Sequence, residues 1–195
     1  MKNKQDLRIT RTHKMIKEAF FKLMEKESFE KISVQAIADV AMVSRTTFYL
    51  HFLDKYDLLD KIENEVLDEI KGMVIGFALE DAIADISSKK PFTILLQMYE
   101  YIKENRQFFV LIMGENGDPS FFYKLYETII HTVPQSINVD RLKIPQHYAV
   151  ALLIGVHTSI INEWLKTGLK ETPEEMITMI TQVMRDVPKN IYRMD

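Results

Sequence analysis

The sequence predicts an all-α protein of about nine helices, with a three-helix helix-turn-helix head followed by a larger helical body. Three observations carry this. Apolar residues recur at helical spacing along most of the chain. Glycine and proline, six of each in 195 residues, are too few for a turn-rich sheet protein. The stretch Ser33 to Lys55, SVQAIADVAMVSRTTFYLHFLDK, reads as two short helices about a tight turn.

Residues 1–7 read as a flexible arm. Lys2, Lys4, Arg8, Arg11, Lys14 and Lys17 fit it to lie along a phosphate backbone or in a minor groove, or it is a tail without a role. The first helix spans about Ile9–Lys26, with Ile16, Ala19, Phe20, Leu23 and Met24 as its stripe. Phe29 and Ile32, in the connection SFEKI, close the small core beneath the motif. Ser33 caps the second helix, whose stripe is Val34, Ile37, Ala38 and Ala41. Met42-Val43 is the break, and Ser44 caps the third helix. There Phe48 and Phe52 point inward one turn apart. Arg45, Thr46 and Tyr49 face out, with Thr47 and Leu50 at the edge, the shape that enters a major groove of B-DNA.

A fourth helix runs from the N-cap Asp54 to about Leu79 on Leu58, Leu59, Ile62, Val66, Ile70, Met73 and Phe77. It joins head and body, and Gly72 and Gly76 weaken its second half. Residues 80–90 read as a break or short helix. Helices follow at about Pro91–Glu104, Gln107–Met113 and Ser120–Thr132, with GENGDPS at 114–120 as a loop. The stretch VPQSINVDRLKIPQ is the longest loop. The eighth helix, about Pro145–Gly168, is apolar nearly all round and must be buried on most sides. Gly168 caps it. Thr172-Pro173-Glu174-Glu175 is a capping box opening the last helix, which runs to about Val187.

The segment AxxAxVSxxTFYxHFxxKxxL, residues 38–58, resembles the DNA-binding signature of the TetR family of bacterial transcriptional regulators. The tail, with YEYIKENRQFFVLIM and IINEWLKTGLKETPEEM, is similar to the subgroup that includes dihydroxyacetone-kinase-regulator-like members. The resemblance implies a DNA-binding domain over 1–53 and a helical ligand-binding and dimerisation domain over 54–195. It also implies roles by position. Arg45 is suited to guanine O6 and N7, and Gln35 to adenine or the same guanine. Thr46 and Tyr49 meet base edges or thymine methyls, and Leu50 offers van der Waals contact. Ser33, Thr47, Tyr49, His51 and Lys55 face the phosphates, and Ser44 counts among the DNA-binding residues. Against these stand a solvent-facing His51 and a Tyr49 at the edge of the core. Two positions depart from the family pattern: Met42 and Thr46 stand where Gly is usual. A positive φ at Met42 would cost about 1 kcal/mol or more.

In that family the last two helices pair with those of a second chain. The resemblance thus implies a homodimer interface on Leu153, Val156, Ile160, Trp164, Met176, Ile180 and Val183; the alternative is an apolar helix at the centre of one chain. Met98, Tyr101, Phe108, Phe109, Tyr123, Tyr126 and His157 are candidates for an effector pocket or plain core.

Composition agrees with a soluble globular protein, at 47% apolar and 27% charged residues. Net charge is −3, divided as +4 over residues 1–55 and −7 over the rest, so the basic end suits an anionic partner. There is no cysteine, and the charged N-terminus has no signal-peptide h-region, which fits the cytoplasm. The apolar run Tyr148–Ile161 is short of the roughly 20 residues that cross a bilayer, so no membrane partner is expected. The chain has no HExxH, GxSxG, GxxxxGK[ST] or GxGxxG, and its five histidines lack metal-ligand spacing. The expectation is therefore a non-enzymatic regulator without cofactor or metal. It would bind double-stranded DNA as a homodimer, as a repressor released by a small-molecule effector. The alternative is a co-activator whose body binds a protein.

Overall fold

A computed structural model of the chain describes residues 4–75, 93–114, 117–132, 139–184 and 193. Among these residues there are nine α-helices and no strand: α1 (Lys4–Met24), α2 (Val34–Val40), α3 (Arg45–Tyr49), α4 (Lys55–Val74), α5 (Thr93–Glu104), α6 (Arg106–Ile112), α7 (Phe121–Thr132), α8 (Gln146–Lys166) and α9 (Pro173–Met184). Short 3-10 turns lie at Phe29–Lys31 and Val139–Arg141. The fold class is all-α, as expected.

The helix boundaries follow local chemistry. Asp54 Oδ1 accepts from the backbone N–H of Tyr56 and Asp57 at 2.8 Å each, which starts α4. Thr172 Oγ1 accepts from Glu175 N–H at 3.2 Å, and Glu175 Oε2 accepts from Thr172 N–H at 2.8 Å. That reciprocal pair is the capping box read from the sequence. At the end of α8, Gly168 has φ 85°. Its N–H reaches Leu165 O at 3.1 Å and Leu169 N–H reaches Trp164 O at 2.9 Å, a Schellman closure.

Three expectations change. The flexible arm over 1–7 is helical from Lys4: residues 4–24 hold no Gly or Pro, so nothing breaks the α1 ladder early. The helix α8 is not buried on most sides. Ala149, Val150, Ile154, Thr158, Ile161, Trp164 and Leu165 are inside, whereas Tyr148 and Leu152 are exposed. The helix also extends past the apolar run, and by length and composition alone it could cross a membrane. Its buried face instead serves as core. The helix α4 ends at Val74, ahead of the expected Leu79 and just past Gly72, while the expected break at 80–90 lies outside the described residues.

The chain divides into two compact units. Residues 1–66 and 107–121 form the first, and residues 67–106 and 122–195 the second. The first extends beyond the expected 1–53 because the start of α4 and nearly all of α6 pack with the head. Ile16, Ala19, Phe20 and Met24 of α1 meet Phe29, Ile32, Ile37, Phe48, Phe52, Leu58 and Ile62 in one core. Phe108 of α6 joins it against Phe21, and Gln107 Nε2 donates to Glu25 Oε1 at 2.9 Å. Gly117 lies just after α6, where an added Cβ would fall 2.0 Å from Ile112 O. In the second unit α9 packs on α5. Tyr99 and Trp164, both fully buried, meet with ring centroids 5.4 Å apart and planes tilted by 49°.

Candidate nucleic-acid interface

The turn between α2 and α3 is a Schellman closure with methionine where glycine is usual. Met42 N–H reaches Asp39 O at 3.1 Å and Val43 N–H reaches Ala38 O at 3.0 Å. Met42 has φ 54°, the left-handed conformation anticipated for that position. Its side chain is 85% exposed, so no packing around it offsets the strain.

Both motif helices are capped as their sequence suggests. Ser33 Oγ accepts from Ala36 N–H at 3.1 Å, and Ser44 Oγ from Thr47 N–H at 3.0 Å. The Ser44 and Thr47 hydroxyls share a bond at 2.9 Å. Phe48 and Phe52 are buried, 5.5 Å apart between ring centroids. They fix which face of α3 remains outside. On that face stand Arg45, Thr46, Tyr49 and Leu50, the last 76% exposed. Arg45 Nη2 donates to Tyr49 Oη at 3.4 Å, with the guanidinium 5.8 Å from the Tyr49 ring centre. Gln35 Nε2 donates to Asp39 Oδ1 at 2.7 Å along α2, both exposed.

Two expected backbone-binding residues are tied into the fold. Lys55 Nζ donates to Phe29 O at 3.0 Å and to Glu30 O at 2.8 Å, fastening α4 to the first 3-10 turn. His51 is half-buried, with Nδ1 3.1 Å from His13 Nε2 and its carbonyl accepting from Lys61 Nζ at 3.1 Å. Burial holds the His13 pKa below the usual histidine value. The His51 ring and Lys61 push the same way, and Glu65 opposes. His13 and Lys61 were not read as site residues. The available signal was spacing: His13, Ile16 and Phe20 share the inner stripe of α1.

A helix-turn-helix with this outer face can read base edges and grip phosphates. Residues 16–62 match the family described as bacterial regulatory proteins, tetR family. Residues 89–186, half of the chain, match the transcriptional regulator C-terminal region. The chain belongs to the TetR family. Both matched models are described as those of transcriptional or bacterial regulatory proteins. Among its relatives is the uncharacterized HTH-type transcriptional regulator YxbF of Bacillus subtilis (strain 168), 25% identical over 175 residues, 87% of this chain and 43% of that protein. Another is the HTH-type dhaKLM operon transcriptional activator DhaS of Lactococcus lactis, 27% identical over 125 residues, 63% of this chain and 60% of that one. The chain thus spans about half the length of these curated relatives. A TetR transcriptional regulator from Streptococcus agalactiae 2603V shares the fold, with a TM-score of 0.64 and 21% identity over 92% of this chain and 96% of that one.

The other expected residues of this TetR-family chain fall as follows. Trp164, Met176 and Ile180 are buried within their own unit. Val156 and Ile160 are half-buried, Val183 is 72% exposed, and the Leu153 side chain lies outside the described residues. Tyr148 and Leu152 of α8 and Met179 of α9, not foreseen, are exposed apolar residues as well. Phe108 and Phe109 belong to the first unit, while Met98, Tyr101, Tyr123, Tyr126 and His157 belong to the second. Tyr123 is 64% exposed and lines no interior. His157 Nδ1 is buried without a partner among the described residues, as is the Tyr99 hydroxyl, whose neighbourhood was missed in the sequence.

Proposed function

We propose that the chain is a cytoplasmic homodimeric repressor reading a near-palindromic operator. One observation carries this: α3 presents Arg45, Thr46, Tyr49 and Leu50 outward as a set, while Phe48 and Phe52 lock its other side into the core. Two such heads would occupy successive major grooves, about 34–36 Å apart. Residues 1–53 do the reading, and 54–195 serve effector binding and dimerisation. Arg45 reads guanine with Gln35 beside it, and Thr46, Tyr49 and Leu50 complete the base-facing surface. Ser33, Ser44, Thr47 and His51 grip phosphates. Lys55 joins them with the one ammonium N–H that its two carbonyl partners leave over.

The exposed apolar pairs Tyr148 and Leu152 on α8 and Met179 and Val183 on α9, each one turn apart, support pairing with a second copy. The buried, unpartnered His157 Nδ1 and Tyr99 hydroxyl support a small effector with matching polar groups in the second unit. Such an effector needs only a higher affinity for the state that releases DNA. Repression requires no surface beyond the head and the pairing residues, since a dimer seated over a promoter blocks it. The relative DhaS is named a transcriptional activator, which supports activation as the second reading.

The test is selection of sites from random DNA by the purified chain at near-physiological salt. A near-palindrome is expected, and Arg45→Ala should lose roughly 10- to 100-fold on it with little change on random DNA. Equal losses on both would sink the base-reading role. A reporter carrying the recovered site then gives the sign: expression rising on deletion of the regulator means repression, falling means activation.

A further inference from the structure

His13 lies outside the helix-turn-helix, 38 residues before His51, yet the two rings meet. Their centroids are 4.8 Å apart and the planes stand at 84°, edge to face. Both rest on Phe52, His13 at 5.0 Å and His51 at 6.4 Å between centroids. The His51 backbone is held as firmly: its N–H reaches Phe48 O at 2.9 Å, and its carbonyl takes the Lys61 ammonium. Thus α1, α3 and α4 all fix one imidazole at the foot of the reading helix. Its Nε2 has no hydrogen-bond partner among the described residues.

A neutral imidazole has one N–H and one lone pair. The 3.1 Å contact therefore carries its proton on one ring or the other. If His13 donates from Nε2, then His51 accepts at Nδ1 and its own proton sits on Nε2. If His51 donates from Nδ1, its Nε2 is a bare lone pair and can only repel a phosphate oxygen. A His51 imidazolium would donate its Nδ1–H to His13 Nε2 and still keep Nε2–H. Two of the three arrangements therefore present a donor, and a phosphate selects those two. His13, whose pKa burial lowers, serves as partner in both.

We propose that His13 is the positioning residue for His51: the bond between them consumes His51 Nδ1 and holds Nε2–H as a donor to the DNA backbone. This rests on the reading of His51 as a phosphate contact.

The test uses the full chain and a random-sequence duplex, because a backbone contact is independent of sequence. Four variants are compared by binding affinity, each checked by thermal melting: His51→Phe, His13→Phe, His13→Gln and the double Phe variant. His51→Phe should weaken binding roughly five-fold, the share of one hydrogen bond. His13→Phe should match it, the double variant should be no worse, and His13→Gln, whose amide replaces the ring N–H, should recover most of the loss. In nitrogen NMR of the wild-type complex, His51 Nε2 should carry the proton. Loss in His51→Phe without loss in His13→Phe overturns the proposal alone, as does loss in both His13 variants or an additive double variant. No loss in His51→Phe overturns the backbone-contact reading and the proposal with it.

Discussion

Met42 shows how a single residue sets the geometry of reading. The turn needs a left-handed residue so that Met42 and Val43 N–H can close back on Asp39 and Ala38. An L side chain there costs about 1–2 kcal/mol, less the entropy that glycine would lose on folding. Met42→Gly should therefore stabilise the fold by about 0.5–1 kcal/mol, read as a higher urea midpoint with unchanged slope. A lower midpoint would mean that the methionine holds the turn by contacts of its own. Arg45 is set by a looser device. Its bond to the Tyr49 hydroxyl is long at 3.4 Å, so the guanidinium is oriented without being withdrawn from the groove.

At the scale of elements, what could be read depended on how far apart the partners lie. Ser33, Ser44, Asp54 and the Thr172–Glu175 box were legible because cap and partner are two or three residues apart. Thr172→Ala should cost about 1 kcal/mol through α9, with Thr172→Ser close to wild type. A thermal midpoint unmoved by Thr172→Ala would show that the box adds nothing beyond tertiary packing. The stripes of α1 and α4 were legible for the same local reason. Lys55 bonding Phe29 O and Glu30 O, His13 meeting His51, and Phe108 packing on Phe21 were not, because each joins distant positions that no period relates. The helix α8 is a different failure. A helix apolar on all sides gives no periodic signal for which face the chain itself covers, and the structure shows that only part is covered. Trp164, expected to face a partner, is buried in its own unit, as are Met176 and Ile180 of α9.

For the whole molecule, every resolved shift on the acid side pushes one way. Burial lowers His157 to about 4, and burial lowers His13 as well. Both rings are harder to protonate folded than unfolded. Below an unfolded value of about 6.5 the unfolded chain therefore binds more protons, and stability falls as pH falls. Asp57, lowered first by its hydrogen bond from Lys61, adds to the loss at still lower pH. Tyr99, raised by burial, works at the other end: above about pH 10 the unfolded chain ionises first and stability falls again. His157 has the largest effect near physiological conditions. From pH 7 to pH 5 it should remove about 2 kcal/mol of stability. His157→Leu, of similar size and without a nitrogen to satisfy, should keep stability at pH 7 and be less acid-sensitive by that amount. Urea unfolding of both proteins at pH 7 and pH 5 checks it. Equal losses on acidification would mean that His157 takes up its proton as easily folded as unfolded. Its Nδ1 would then have to be matched by a group that accepts the charge, and an effector site there would have to suit a cation-bearing wall, not a neutral one.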